Sequence, residues 1–152
     1  MATSARNAFY AQSGGVTAVI NASAAGVIET AARHPQHIGQ VFERVRALLR
    51  HRDFTLANPN RVRSLIGAFC MSNPAAFHRS DAGGYHFWAD RVLELDSANP
   101  QMAARIARVM DRWTKLAEPY RSGARDAINR VAARTDLSSD LREIITRALT
   151  GK

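Results

Sequence analysis

The stretch NPNRVRSLIGAFCMSNPAAF, Asn58 to Phe77, carries the clearest folding signals in the chain. An asparagine side chain accepts hydrogen bonds from the free N–H groups of a first helical turn, and Pro59 stands where a missing N–H costs nothing. A helix therefore starts here. Val62, Leu65, Ile66 and Phe69 recur at i, i+3, i+4 and i+7, one apolar stripe opposite Arg61 and Arg63. Ser72-Asn73-Pro74 stops that helix, because a residue preceding proline is pushed out of the α region, and Ala75 to Phe77 reads as a short further turn.

Outward from this anchor, the same helical period recurs. Gln40 to Arg52 places Val41, Phe42, Val45, Leu48 and Leu49 on one side, and Asp53 to Ala57 forms a short link, which implies antiparallel neighbours. On the other side of the anchor, His78 to Gly84 is a polar loop and Tyr85 to Asp96 a helix with Trp88, Val92 and Leu95 inward. Asn99-Pro100 repeats the Asn-Pro start. Met102, Ile106, Val109, Met110 and Trp113 define the longest stripe, closing near Glu118-Pro119. Pro119 begins a helix through Ala127, Ile128 and Val131, and Ser138 caps a last one with Leu141, Ile144, Ile145, Ala148 and Leu149 inward. The expected fold is all-α, stacked antiparallel helical hairpins of the α-solenoid kind, each pair burying its stripe on the next.

At 152 residues and 46% hydrophobic composition, the chain can bury a core of its own. It has no apolar run of 18 residues and no basic-then-apolar start, so the expectation is neither a membrane span nor secretion but a cytoplasmic protein. The net charge of +8 comes almost wholly from arginine. Arg44, Arg46, Arg50, Arg63, Arg105, Arg108, Arg112 and Arg130 occupy the polar faces of several helices, whereas a nucleic-acid binder gathers its cations on one surface. Solvated helix faces are the expected role, not nucleic-acid binding. Cys70 is the one cysteine, which excludes an internal disulfide and reads as a small buried residue.

The anchor segments, NPNRVRSLIGAF, SNPAAFH, GYHFWADRVLELD and NPQMAARIARVMDRW, resemble in order the C-terminal helical domain of bacterial zinc aminopeptidases of the aminopeptidase N family, over about residues 41–149. The resemblance implies a stack of helical hairpins that covers a peptide-cleaving site and restricts access to it. It implies zinc in the parent enzyme, with the enzyme's catalytic part as partner and peptides as substrates. The zinc site of such an enzyme needs HExxH, two histidines one helical turn apart with a general-base Glu. None of His34, His37, His51, His78 and His86 stands in that pattern, and Pro35 breaks the register between His34 and His37. No catalytic, metal or cofactor site is expected in this chain itself. His78, Ser80, Asp81 and Tyr85 cluster in the long polar loop, where local hydrogen bonding and capping account for Ser80 and Asp81 better than catalysis does.

The first part of the chain reads differently. Ala8 to Ala11 is a short strand-like run, Gln12 to Gly15 a turn, and Val16, Val19, Ile20, Ala24, Val27, Ile28 and Ala31 the stripe of a helix ended by His34-Pro35. NAFYAQSGGVTAVINASAAGVIETAARHP, residues 7–35, resembles the opening of pyrophosphate-dependent phosphofructokinases. That resemblance implies that Gly14 and Gly15 bind phosphate, since a glycine turn before a helix lets backbone N–H groups approach an anion. The GGDGT-like, TID-like and MGR-like segments of that family are absent, so its activity is not expected. The two resemblances meet near Pro35 to Gln40, and the chain reads as a chimera: residues 1–35 from one family, and 36–152 from the other. An apolar stripe as wide as that of residues 16–33 is expected to dock on an exposed first face near Val41, Phe42 and Val45.

Overall fold

A computed structural model describes residues 38–150. Among these residues the chain is helical and without strands. The first helix, α1, is Ile38–Leu49. The anchor helix α2 runs over residues 59–72 in three pieces, Pro59–Val62, a π-helical turn Arg63–Gly67 and Ala68–Ser72. The short α3, Pro74–Phe77, follows directly. Then come α4, Gly83–Ala98, and α5, Pro100–Ala107, prolonged by a 3-10 turn Arg108–Met110. After a second 3-10 turn, Trp113–Lys115, the chain forms α6, Tyr120–Ala132, and α7, Ser139–Thr150. The strand expected at Ala8 to Ala11 and the helix of residues 16–33 lie outside the described residues.

The Asn58-Pro59 and Asn99-Pro100 signals start helices as the sequence implies, and Asn73-Pro74, read there as a helix stop, starts one as well. Asn58 Oδ1 accepts from the N–H groups of Asn60 at 3.0 Å and Arg61 at 3.3 Å. Asn73 Oδ1 accepts from Ala76 N–H at 3.2 Å and Asn99 Oδ1 from Met102 N–H at 3.1 Å. In each case the following proline is the first helical residue. Three helices thus begin with the same dipeptide, its amide oxygen satisfying donors that helix geometry leaves unpaired.

The core runs through all seven helices. Val62, Ile66, Phe77, Tyr85, Trp88, Leu95, Ile106, Met110, Ile128, Leu141 and Ile145 are fully buried. α1 packs on the π turn of α2 and on α3, α4 lies between α5 and α6, and α7 closes the stack against α5 and α6. This is the stacked arrangement expected, with corrections at particular stripes. The π turn, in which Ala68 N–H reaches back five residues to Arg63 C=O, inserts an extra residue per turn. Ile66, Phe69 and Cys70 therefore face the core while Leu65 is only half-buried. Phe42 and Val45 point inward, so they are not an exposed first face. Leu48 and Leu149, expected inside, are each 38% exposed.

The longest helix is α4, with 16 residues, and not the run from Met102 to Trp113. That run breaks after Ala107 because two indoles intervene. Trp88 Nε1–H donates to the Ile106 carbonyl at 3.1 Å, an acceptor that a continuing α-helix would reserve for Met110 N–H, and Trp113 Nε1–H donates to Ala148 C=O of α7 at 2.9 Å. The tighter 3-10 turns follow.

At the opposite end of α4, Asp96 is buried and accepts from Ser138 N–H at 2.8 Å and from the Ser138 hydroxyl. Ser138 Oγ in turn accepts from Leu141 N–H at 3.3 Å, which caps α7. One carboxylate thereby fixes where the last helix starts. Asp96→Ala should remove about 2 to 3 kcal/mol of stability, because it strands a backbone donor and the capping hydroxyl. Urea denaturation checks this, and a loss below about 0.5 kcal/mol would show the bridge to be dispensable.

Candidate functional site

The loop singled out in the sequence folds into a tight corner between α3 and α4. His78 ends α3, its N–H bonded to Pro74 C=O. Its ring turns inward, and His78 Nδ1 lies 2.8 Å from the Tyr85 hydroxyl. Tyr85 is fully buried and meets Phe77 edge-on, with ring centroids 5.5 Å apart. Arg79 and Asp81 face one another at 2.5 Å, and the Arg79 guanidinium also lies over the Phe42 ring, 5.1 Å from its centroid. Through that contact the corner holds α1. Asp81 Oδ1 accepts from Gly83 N–H at 3.0 Å as well. Ser80 is exposed.

Two backbone features make the corner tight. Ala82 adopts φ 58°, the left-handed region that disfavours a side chain. Gly84 sits so close to α3 that a Cβ there would lie 1.9 Å from the Phe77 carbonyl oxygen. The first turn of α4 can reach α3 only because residue 84 has no side chain.

Of the four residues the sequence grouped, the structure brings one pair together, His78 with Tyr85; Asp81 pairs instead with Arg79, a partner that sequence reasoning did not assign, and Ser80 stays exposed. The electrostatics match a structural corner. The Arg79 hydrogen bond, followed by the Gly83 N–H, holds the Asp81 carboxyl down to about 2. Burial, with a smaller contribution from Tyr120, pushes the Tyr85 phenol up to about 12. Burial alone lowers His78 from its ordinary 6.5. The neutral imidazole therefore bonds Tyr85, and no activated nucleophile is formed. Cys70 is buried in the core, which pushes its thiol up and keeps it protonated.

His78 gives the corner a pH dependence. Because its folded pKa lies below the unfolded 6.5, the unfolded chain binds the proton more readily. This contribution to stability is complete above about pH 6.5 and declines as pH falls through that value toward the folded pKa. Melting temperature should thus drop on acidification below pH 6.5, more in the native chain than in His78→Gln. Equal slopes in the two proteins would remove His78 as the cause.

Elsewhere, a groove of about 290 Å³ between α5 and α7 is lined by Gln101, Ala104, Arg105, Arg108, Asp140, Glu143 and Ile144. Its two signs of charge select no single ligand chemistry. Among the described residues, no three His, Cys, Asp or Glu side chains gather as a metal-ligand group, and no helix is long and apolar enough to cross a membrane. Gly14, Gly15, His34 and His37 lie outside the described residues.

Known proteins give the helical stack its context. A family model described as "Domain of unknown function (DUF3458_C) ARM repeats" matches residues 5–150. The aminopeptidase N of Escherichia coli K12 is 47% identical over 109 residues, which is 72% of this chain and 12% of the enzyme. A crystal structure of Legionella pneumophila aminopeptidase A in complex with aspartic acid superimposes with a TM-score of 0.68 at 33% identity, over 73% of this chain and 13% of that one. The pyrophosphate–fructose 6-phosphate 1-phosphotransferase of Methylococcus capsulatus is 76% identical over 38 residues, 25% of this chain and 9% of the enzyme. The chain therefore spans about an eighth of the length of the aminopeptidases it matches.

Proposed function

The chain belongs to the DUF3458_C family of ARM-repeat domains, and from that premise we propose that it is a non-catalytic helical module that covers and restricts access to the peptide-cleaving site of an aminopeptidase N type zinc enzyme. Homology to the C-terminal helical domain of aminopeptidase N, at 47% identity over 109 residues, supports this reading most strongly. The chemistry of the chain agrees. Its titratable corner is committed to His78–Tyr85 and Arg79–Asp81 contacts, and its sequence contains no HExxH zinc motif. Its partner would be the catalytic part of such an enzyme, with which it shapes the entrance while the zinc centre of that part cleaves peptides.

The test has two arms. The purified chain should not hydrolyse aminoacyl reporter substrates with or without zinc; turnover that survives purification and vanishes on a single substitution in this chain would reveal a site of its own. Added to an aminopeptidase N deprived of its C-terminal helical domain, the chain should bind and depress cleavage of long peptides relative to dipeptides. Unchanged selectivity despite binding would remove the covering role.

The 38-residue match to a phosphotransferase favours a second, narrower reading for Gly14 and Gly15, a retained phosphate-binding turn. Calorimetric titration with pyrophosphate distinguishes it, since heat of binding abolished by Gly15→Val would support a working turn and no heat would dismiss it.

A further inference from the structure

We propose that α1 is a hinged cover that opens as a unit about residues 50–53, with the Arg79 guanidinium as its latch on the Phe42 ring. This motion is independent of the enzyme partner proposed above.

The fastening of α1 differs from that of the later helices. α4, α5, α6 and α7 are each tied to another element by a polar contact: Trp88 to the Ile106 carbonyl, Arg130 to Asp90 at 2.5 Å, and Ser138 N–H to Asp96. Among the described residues α1 has no such tie. Its ion pair, Arg46 with Glu43 at 3.4 Å, lies within the helix. Among its described side chains only Phe42 and Val45 are buried, against eight buried residues on α4. An element held by few buried contacts is the kind that opens below the cost of global unfolding.

The link that follows is built to pivot. Its backbone bonds stay local, Arg50 N–H to Ala47 C=O, His51 N–H to Leu48 C=O and Phe54 N–H to His51 C=O. Residues 50–53 are exposed, whereas Phe54 and Leu56 beyond them pack against the core. Rotation about residues 50–53 therefore lifts α1 without breaking a hydrogen bond to another helix, while Phe54 and Leu56 keep the far end of the link in place.

The seat of α1 centres on Phe42, which stacks on Phe69 with centroids 5.6 Å apart and meets Phe87 edge-on at 5.9 Å. Arg79 reaches this ring from the α3–α4 corner, its guanidinium 5.1 Å from the centroid, and Asp81 holds it there at 2.5 Å. A cation over a ring is attracted by the ring quadrupole. The Asp81 hydrogen bond and, more weakly, the Glu43 carboxylate of α1 keep Arg79 charged. Closing thus sets an aromatic face and a carboxylate of α1 against one fixed cation, and opening exposes the Phe69 and Phe87 rings to water.

Native-state hydrogen exchange on the full chain in sub-denaturing urea reads the motion. The α1 amides should exchange together, at least about 100-fold faster than those of α4 and α6, and with a shallower urea slope because less surface is exposed. One shared rate and slope for all three helices would make α1 part of the global unit and overturn the hinge. A gradient of rates along α1 without urea dependence would mean fraying and overturn it as well. A double-substitution cycle reads the latch. Arg79→Met should speed α1 exchange about threefold to tenfold while leaving α6 unchanged, and should add nothing in a Phe42→Leu background, where the ring is gone. No acceleration of α1, an equal effect on α6, or the same effect in both backgrounds would overturn the latch.

Discussion

Gly84→Ala should unfold the corner and with it most of the module. The added methyl would sit 1.9 Å from the Phe77 carbonyl oxygen, 2.8 Å from its carbon and 3.1 Å from its Cα, all backbone atoms that no rotamer change can move. Ordinary overpacking costs about 1 to 3 kcal/mol, because side chains yield. Here α3 and the first turn of α4 would have to separate by more than an ångström, with loss of the His78–Tyr85 bond and of the packing around Phe77. A loss of at least about 4 kcal/mol follows, in the range where a domain of this size approaches its whole stability. Denaturant unfolding, or helical signal if the variant never folds, reads it out. A Gly84→Ala protein within about 1 kcal/mol of the native chain would mean the approach of α3 to α4 is looser than described. Gly123 offers a graded comparison, since a Cβ there would meet the Ala82 Cβ at 2.9 Å and the Tyr85 ring at 3.2 Å, a smaller overlap than at Gly84 but one that still requires the corner to shift.

Phe69→Ala should lose about 3 to 5 kcal/mol, the range for emptying a buried aromatic site. Phe69 is the hub of an aromatic cluster, its centroid 5.1 Å from Phe87, 5.6 Å from Phe42 and 5.8 Å from Phe77. Those rings come from α1, α3 and α4, so the hole could not be closed by movement of one neighbour. Leu65→Ala, on the same helix but half-buried, should lose clearly less. The contrast tests the π turn, because an uninterrupted α-helix would bury Leu65 with Ile66. Equal losses at positions 65 and 69 would restore the regular stripe.

What the sequence made legible, and what it hid, follows from the range of the interactions involved. Asn58-Pro59 and Asn99-Pro100 announce helix starts because donor, acceptor and fixed φ all lie within four residues, whereas Asn73-Pro74 reads in sequence as the stop of one helix and in the structure also caps the next. The inward positions of α4 and α6 were likewise readable from period alone. The π turn at Arg63–Gly67 was not, since the apolar spacing Val62, Leu65, Ile66, Phe69 fits a regular helix equally well. The end of α5 was hidden because the bond that competes for the Ile106 carbonyl comes from Trp88, 18 residues earlier. In the candidate site, the polar loop itself stood out, but its pairings did not: His78 to Tyr85 requires the chain to turn through Ala82 and Gly84. A glycine tolerant of a carbonyl at 1.9 Å from its missing Cβ looks, in sequence, like any loop glycine.

The threefold Asn-Pro device bears on portability. A helix whose first turn is satisfied by its own preceding residue needs no neighbouring polypeptide to tell it where to begin. Cutting such an array out of a much longer ancestor, or splicing something unrelated before it, leaves those start points intact. Recombination breakpoints falling ahead of such a dipeptide should accordingly yield foldable products more often than breakpoints at α7, whose beginning is set by Asp96 from 42 residues upstream.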